Sequence, residues 1–100
     1  MVKHMILWKL KDGISSEEKE TVLANAKREL EALKGQIDGL LEIKLQITGL
    51  ASSNADMMLD STLESEAALA AYQVHPAHQA AANNFVRPFT AERLCLDFEV

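Results

Sequence analysis

The stretch "VKHMILWKL", Val2–Leu10, decides the fold because both of its alternating faces are apolar. Its β-branched, aromatic and long apolar residues predict a strand over Lys3–Leu10, closed by the "KDG" that follows. Side chains alternate across a strand, so His4, Ile6, Trp8 and Leu10 share one side while Met5 and Leu7 take the other. The closing stretch "ERLCLDFEV" repeats the pattern, with Leu94, Leu96 and Phe98 opposing Arg93, Cys95 and Asp97. A sheet holding both strands carries more apolar surface than one layer of helices can cover.

Between these strands the chain alternates helix and strand signals. "ISSEEKETVLANAKRELEALKG" opens on Ser15 with Glu18 three residues later, a capping-box pattern. Val22, Leu23, Ala26, Leu30 and Leu33 then form one apolar stripe at helical spacing, and Gly35 supplies the stop. "LLEIKLQITG" reads as a strand with one wet face, Leu41, Ile43, Leu45 and Ile47 set against Glu42, Lys44 and Gln46. "LASSN" is a turn or loop and "DMMLDSTL" a third strand. Ser65 caps a short helix from Glu66 to Tyr72; Pro76 suits the first turn of another running to about Val86, and Pro88 ends it.

The order β-α-β-β-α-β, with the second α split, predicts an α+β fold of the ferredoxin-like type: a four-stranded antiparallel sheet with helices on one face. The first and last strands are expected side by side in the middle of that sheet. Its other face then exposes Met5, Leu7, Leu94, Leu96 and Phe98, a patch large enough to demand a cover. A second sheet is the economical cover, so the faces alone predict a homodimer joined sheet to sheet.

One hundred residues without a linker, repeat or low-complexity tract fit one domain over 1–100. A formal net charge of −5, with the basic residues scattered among acids, argues against nucleic acid or an anionic membrane as partner. The lone Cys95 has no internal disulfide partner and fits a reducing compartment. The run "MILW" is too short for a signal-peptide core or a membrane span, so a cytoplasmic protein is expected.

"VKHMILWKLKDG", "YQVHPAHQ" and "LCLDFEV" together resemble the stress-responsive A/B barrel (Dabb) family across the whole chain. The His-Pro-x-His segment preceded by a tyrosine is the most specific piece. The resemblance implies a dimeric α+β barrel built from two four-stranded sheets. Its members include stress proteins without established chemistry and a plant polyketide cyclase. In that cyclase the residues matching His78 and Tyr72 form the acid/base pair, and those matching His4 and Asp97 lie beside them. Val22, Ala26 and "QAAANN" replace bulkier or more apolar groups of the cyclase, so the residue types of the site are kept while its walls differ.

The topology supplies its own reasons to join these four residues. Neighbouring antiparallel first and last strands place His4 across from Asp97, and both are expected to approach His78 on the helix-facing side. His78 lies in the first turn after Pro76, where the positive helix end favours the neutral ring that a general base requires. Tyr72 is suited to donate a hydrogen bond to a carbonyl oxygen, with His4 and Asp97 in support. This reading is proton transfer next to a carbonyl in a small-molecule pocket, of cyclase, lyase or isomerase type. The rival is a non-enzymatic stress-associated structural protein whose histidines only knit helix to sheet.

His75, preceding Pro76, is pushed out of helical geometry and expected at the start of the helix. That weakens a metal set made of His75, His78, His4 and Asp97, so no metal or other cofactor is expected. There is no Gly-rich phosphate loop and no G-x-S-x-G nucleophile context. Trp8 is expected as core or cavity wall, Cys95, if buried in a central strand, as a small hydrophobe, and the charged face from Glu17 to Glu31 as solvated surface.

Overall fold

Each helix begins where a polar side chain is placed to receive a free backbone N–H. In the computed structural model, which describes residues 1–100, Ser15 accepts from the Glu18 amide at 3.1 Å and starts α1, Ser16–Glu31. Ser65 accepts from Ala68 at 3.1 Å and starts α2, Glu66–Val74. His75 Nδ1 accepts from Ala77 at 3.1 Å and starts α3, Pro76–Phe85, with Pro76 in its first turn. His75 therefore sits where its neighbouring proline predicts. A 3₁₀ turn at Arg87–Phe89 carries the chain from α3 into the last strand.

The strands are β1 Val2–Leu10, β2 Leu40–Gln46, β3 Met57–Leu63 and β4 Thr90–Glu99, in the antiparallel order β2-β3-β1-β4. This is the expected ferredoxin-like architecture, with a correction to the strand order. β1 pairs with β3 on one side and with β4 on the other, so β4 lies at the edge and not in the middle. The reason is visible in the side chains. On β3 the inward residues Met57, Leu59, Ser61 and Leu63 are all at most 2% exposed, as a central strand requires. On β4 the same side carries Arg93, Cys95 and Asp97, all exposed, which suits a strand beyond the helical layer. Cys95 is accordingly exposed rather than buried.

A second correction concerns β2. The ladder runs Leu40↔Leu63 and then Glu42↔Thr62, so Leu41 falls in a bulge and turns outward, while Leu40, Ile43 and Leu45 are buried. The free edge of β2 is held by α1: Glu31 Oε2 accepts from Leu45 N–H at 2.9 Å, and Lys27 Nζ donates to Glu31 at 2.7 Å and to the Leu45 carbonyl at 2.9 Å. Burial pushes the Glu31 carboxyl up, but these hydrogen bonds and the Lys27 and Lys44 charges outweigh it and hold its pKa below the ordinary value. Gly39, at φ +84°, lets α2 approach the start of β2; a Cβ there would lie 2.7 Å from that of Ala68.

The core fills the space between the inner sheet face and the helices: Val2, Ile6, Trp8 and Leu10 of β1 against Val22, Ala26 and Leu30 of α1, with Leu45 and Leu59 beneath. Leu45 is fully buried, so Leu45→Ala should cost about 2–5 kcal/mol in urea unfolding. Leu50→Ala, at a position 82% exposed in the β2–β3 loop, should shift stability by less than about 0.5 kcal/mol. Equal effects would mean that Leu45 is not core. On the outer sheet face Leu7, Leu94, Leu96 and Phe98 are 41%, 71%, 66% and 41% exposed, with Met5 half-buried among them. No helix is long and apolar enough to cross a membrane.

Candidate active site

Leu69 and Tyr72, three residues apart on α2, turn the same helix face toward the sheet and are buried. Tyr72 is wholly enclosed, and its Oη is a buried polar atom with no hydrogen-bond partner. Burial pushes the phenol far above its ordinary pKa, so the hydroxyl keeps its proton and remains a donor in search of an acceptor. A native fold rarely retains such an atom without a use for it.

His78 comes up against Tyr72 from the first turn of α3, their ring centroids 4.4 Å apart and their planes tilted by 44°. His78 Nδ1 lies 3.1 Å from the Gln73 carbonyl oxygen; a carbonyl only accepts, so Nδ1 carries the proton and Nε2 of the neutral ring keeps its lone pair. Burial lowers the His78 pKa, the Gln73 carbonyl opposes this, and the positive charges of Arg87 and Arg93 lower it further. The sequence reading attributes a neutral ring to the helix end; here burial is the largest cause of the lowered pKa.

His4, 1% exposed, sits on β1 across from Asp97 of β4, and its Nδ1–H donates to Asp97 Oδ1. Ser61 Oγ donates to the His4 carbonyl at 2.8 Å. The His4 ring meets Tyr72 edge-on at 6.0 Å. The four residues singled out in the sequence are therefore connected as Asp97–His4–Tyr72–His78. They do not surround one space, however. A cavity of about 80 Å³ is lined by Tyr72 and His78 with Ile6, Trp8, Leu59 and Val86, while His4 and Asp97 do not line it. Larger depressions exist elsewhere, of about 310 Å³ beside the β2–β3 loop and about 480 Å³ between α1 and Phe85, but neither contains a histidine or tyrosine.

The two cationic residues of the cavity, Arg87 and Arg93, were not singled out for the site by the sequence reading. Arg93 was within reach of it: the alternation that turns Asp97 inward turns Arg93 inward too, opposite Trp8. Arg87 was not, because its position depends on the 3₁₀ turn and on hydrogen bonds to Gln79 at 3.0 Å and Asn83 at 2.5 Å. The possible metal ligands also regroup. His75 is spent on its helix cap, whereas ligand atoms of His4, Cys95 and Asp97 lie within 4.8 Å of one another. Burial, then the Asp97 hydrogen bond and charge, push the Cys95 thiol up, so it is a protonated thiol and a poor ligand as it stands.

The sequence pattern of the stress-responsive A/B barrel domain matches residues 2–100. The chain belongs to this family. An uncharacterized protein of Streptomyces coelicolor is 37% identical over 82 residues, which cover 80% of this chain and 81% of that one. A dimeric, ferredoxin-like protein of unknown function from Bacteroides fragilis is 29% identical at a TM-score of 0.93, covering 99% of this chain and 95% of its own. The hydroxynitrile lyase of Passiflora edulis, 17% identical at a TM-score of 0.70 over 97% of this chain and 90% of its own, shares the fold.

In this A/B barrel protein the His78 ring should titrate, by proton NMR, below the ordinary histidine value of about 6.5. The folded chain then holds its proton less readily than the unfolded one, so His78 makes stability fall as pH drops from that value toward the folded pKa. Titration at or above 6.5 would contradict the half-buried, cation-flanked ring.

Proposed function

We propose that the chain acts as a homodimer, its two sheets packed outer face to outer face, and that each subunit's cavity carries out proton transfer next to a carbonyl group. The observation that carries the chemistry is the buried Tyr72 Oη, without a partner, beside a neutral His78. A substrate carbonyl oxygen takes the Tyr72 hydrogen bond. His78 Nε2 removes the proton from the adjacent carbon, the electron pair moves onto that oxygen as an enolate, and Tyr72 stabilises the charge. The imidazolium then returns the proton to the same carbon or to another along the conjugated system.

His4 and Asp97 are positioning residues in this scheme: Asp97 holds His4, and the His4 ring fixes one side of Tyr72. The dimer is supported by the exposed Leu94, Leu96 and Phe98 and by the dimeric protein of Bacteroides fragilis that shares the fold. The direct test is deuterium exchange. In heavy water the protein should exchange protons next to the carbonyl of short ketones and keto acids at least about 100-fold faster than buffer. The rate should rise with pH through the depressed His78 pKa and flatten above it. Exchange no faster than buffer across such a panel would return the histidines to a purely structural role.

A further inference from the structure

Two of the chain's three arginines, Arg87 and Arg93, line the same small cavity. The third, Arg28, is paired with Glu29 on the helical surface. Neither cavity arginine has an acidic partner. Arg87 is held by the side-chain carbonyl oxygens of Gln79 and Asn83, which orient the guanidinium without neutralising it. Arg93 makes no ion pair although the chain as a whole is acidic. Both charges are felt at His78.

Exposure gives the cavity a direction. Arg87 and Arg93 are exposed and Tyr72 is wholly buried, so the space has a basic rim at the solvent and the Tyr72 side chain at its inner end. Ile6, Leu59 and Val86 supply apolar walls between them. A volume of about 80 Å³ holds roughly half a dozen non-hydrogen atoms beyond the rim. A neutral ligand would leave two guanidinium groups idle, and a large one would not enter. We infer that the cavity takes a short oxo-carboxylate, its carboxylate held by Arg93 at the rim with Arg87 adding charge, and its carbonyl directed inward to Tyr72.

This assignment rests on the proton-transfer reading of Tyr72 and His78, and binding separates the two. Levulinate and its uncharged methyl ester are titrated into the protein while the His78 and Tyr72 ring signals are followed by NMR. Levulinate should give saturable shifts at least tenfold tighter than the ester. Arg93→Gln should remove that preference, Arg93→Lys should keep part of it because charge survives without the planar fork, and Lys19→Gln, an equal change of charge on α1, should leave it intact. No saturable shift, equal binding of acid and ester, or an unchanged preference in Arg93→Gln overturns the carboxylate assignment. Arg93-dependent binding without deuterium exchange keeps that assignment and defeats the proton-transfer reading instead.

Discussion

Tyr72→Phe should raise the melting temperature and, in the same protein, remove deuterium exchange. The two effects come from one atom. Tyr72 Oη is buried without a partner, and an unpaired buried hydroxyl costs about 1–3 kcal/mol of stability. Phenylalanine keeps the ring that packs on His78 and meets the His4 edge, so the substitution removes the penalty and little else. A gain of about 1 kcal/mol corresponds to a rise of about 4–8 °C in a domain of this size. Deuterium exchange should move the other way, since loss of one donor to a developing oxyanion lowers turnover by about 10²–10³-fold. His78→Ala should lower exchange by about 10²–10⁴-fold through loss of the base, and without any thermal gain, because it leaves a void beside Tyr72. A fall in melting temperature for Tyr72→Phe would show that the hydroxyl has a partner in the free protein. Exchange at the parental rate would remove Tyr72 from the chemistry.

That expected opposition of stability and activity could not be read in the sequence, for a physical reason. Tyr72 was visible as a polar-tipped residue beside a His-Pro-x-His segment, but whether its hydroxyl finds a partner depends on everything that encloses it. Local signals were legible: the Ser15 and Ser65 caps, the displacement of His75 by Pro76, and the two-residue alternation that placed His4 opposite Asp97. What failed was pairing order and register. The bulge at Leu41 turns one leucine outward without disturbing the apolar count of β2. The edge position of β4 was encoded by Arg93, Cys95 and Asp97 on its inner side, a polar set that no central strand would carry. The same error of order hid Arg93 from the site, and with β4 at the edge the condition of a central strand does not hold for the exposed Cys95.

Leu96→Asp should convert the proposed dimer to a monomer in analytical ultracentrifugation. Every residue of β4 after Thr90 is exposed in the single subunit, on both faces of the strand, and β4 pairs only with β1. A ten-residue strand so placed gains little from its own chain beyond the ladder. Leu96, 66% exposed and directly across from Met5, stands within the apolar face. Burying a leucine there contributes about 2 kcal/mol per copy, and placing an unpaired carboxylate in the same contact costs about as much again. A twofold interface counts each change twice, giving about 8 kcal/mol per dimer, or more than about five decades in Kd. Val74→Asp changes an equally exposed apolar residue at the end of α2, on the helical side of the sheet, and should leave assembly intact. If Leu96→Asp remains dimeric while Val74→Asp dissociates, the subunits meet through their helices and the outer sheet face needs another cover. If Leu96→Asp alone dissociates, its melting temperature should fall with it, since β4 then has no second sheet to pack against.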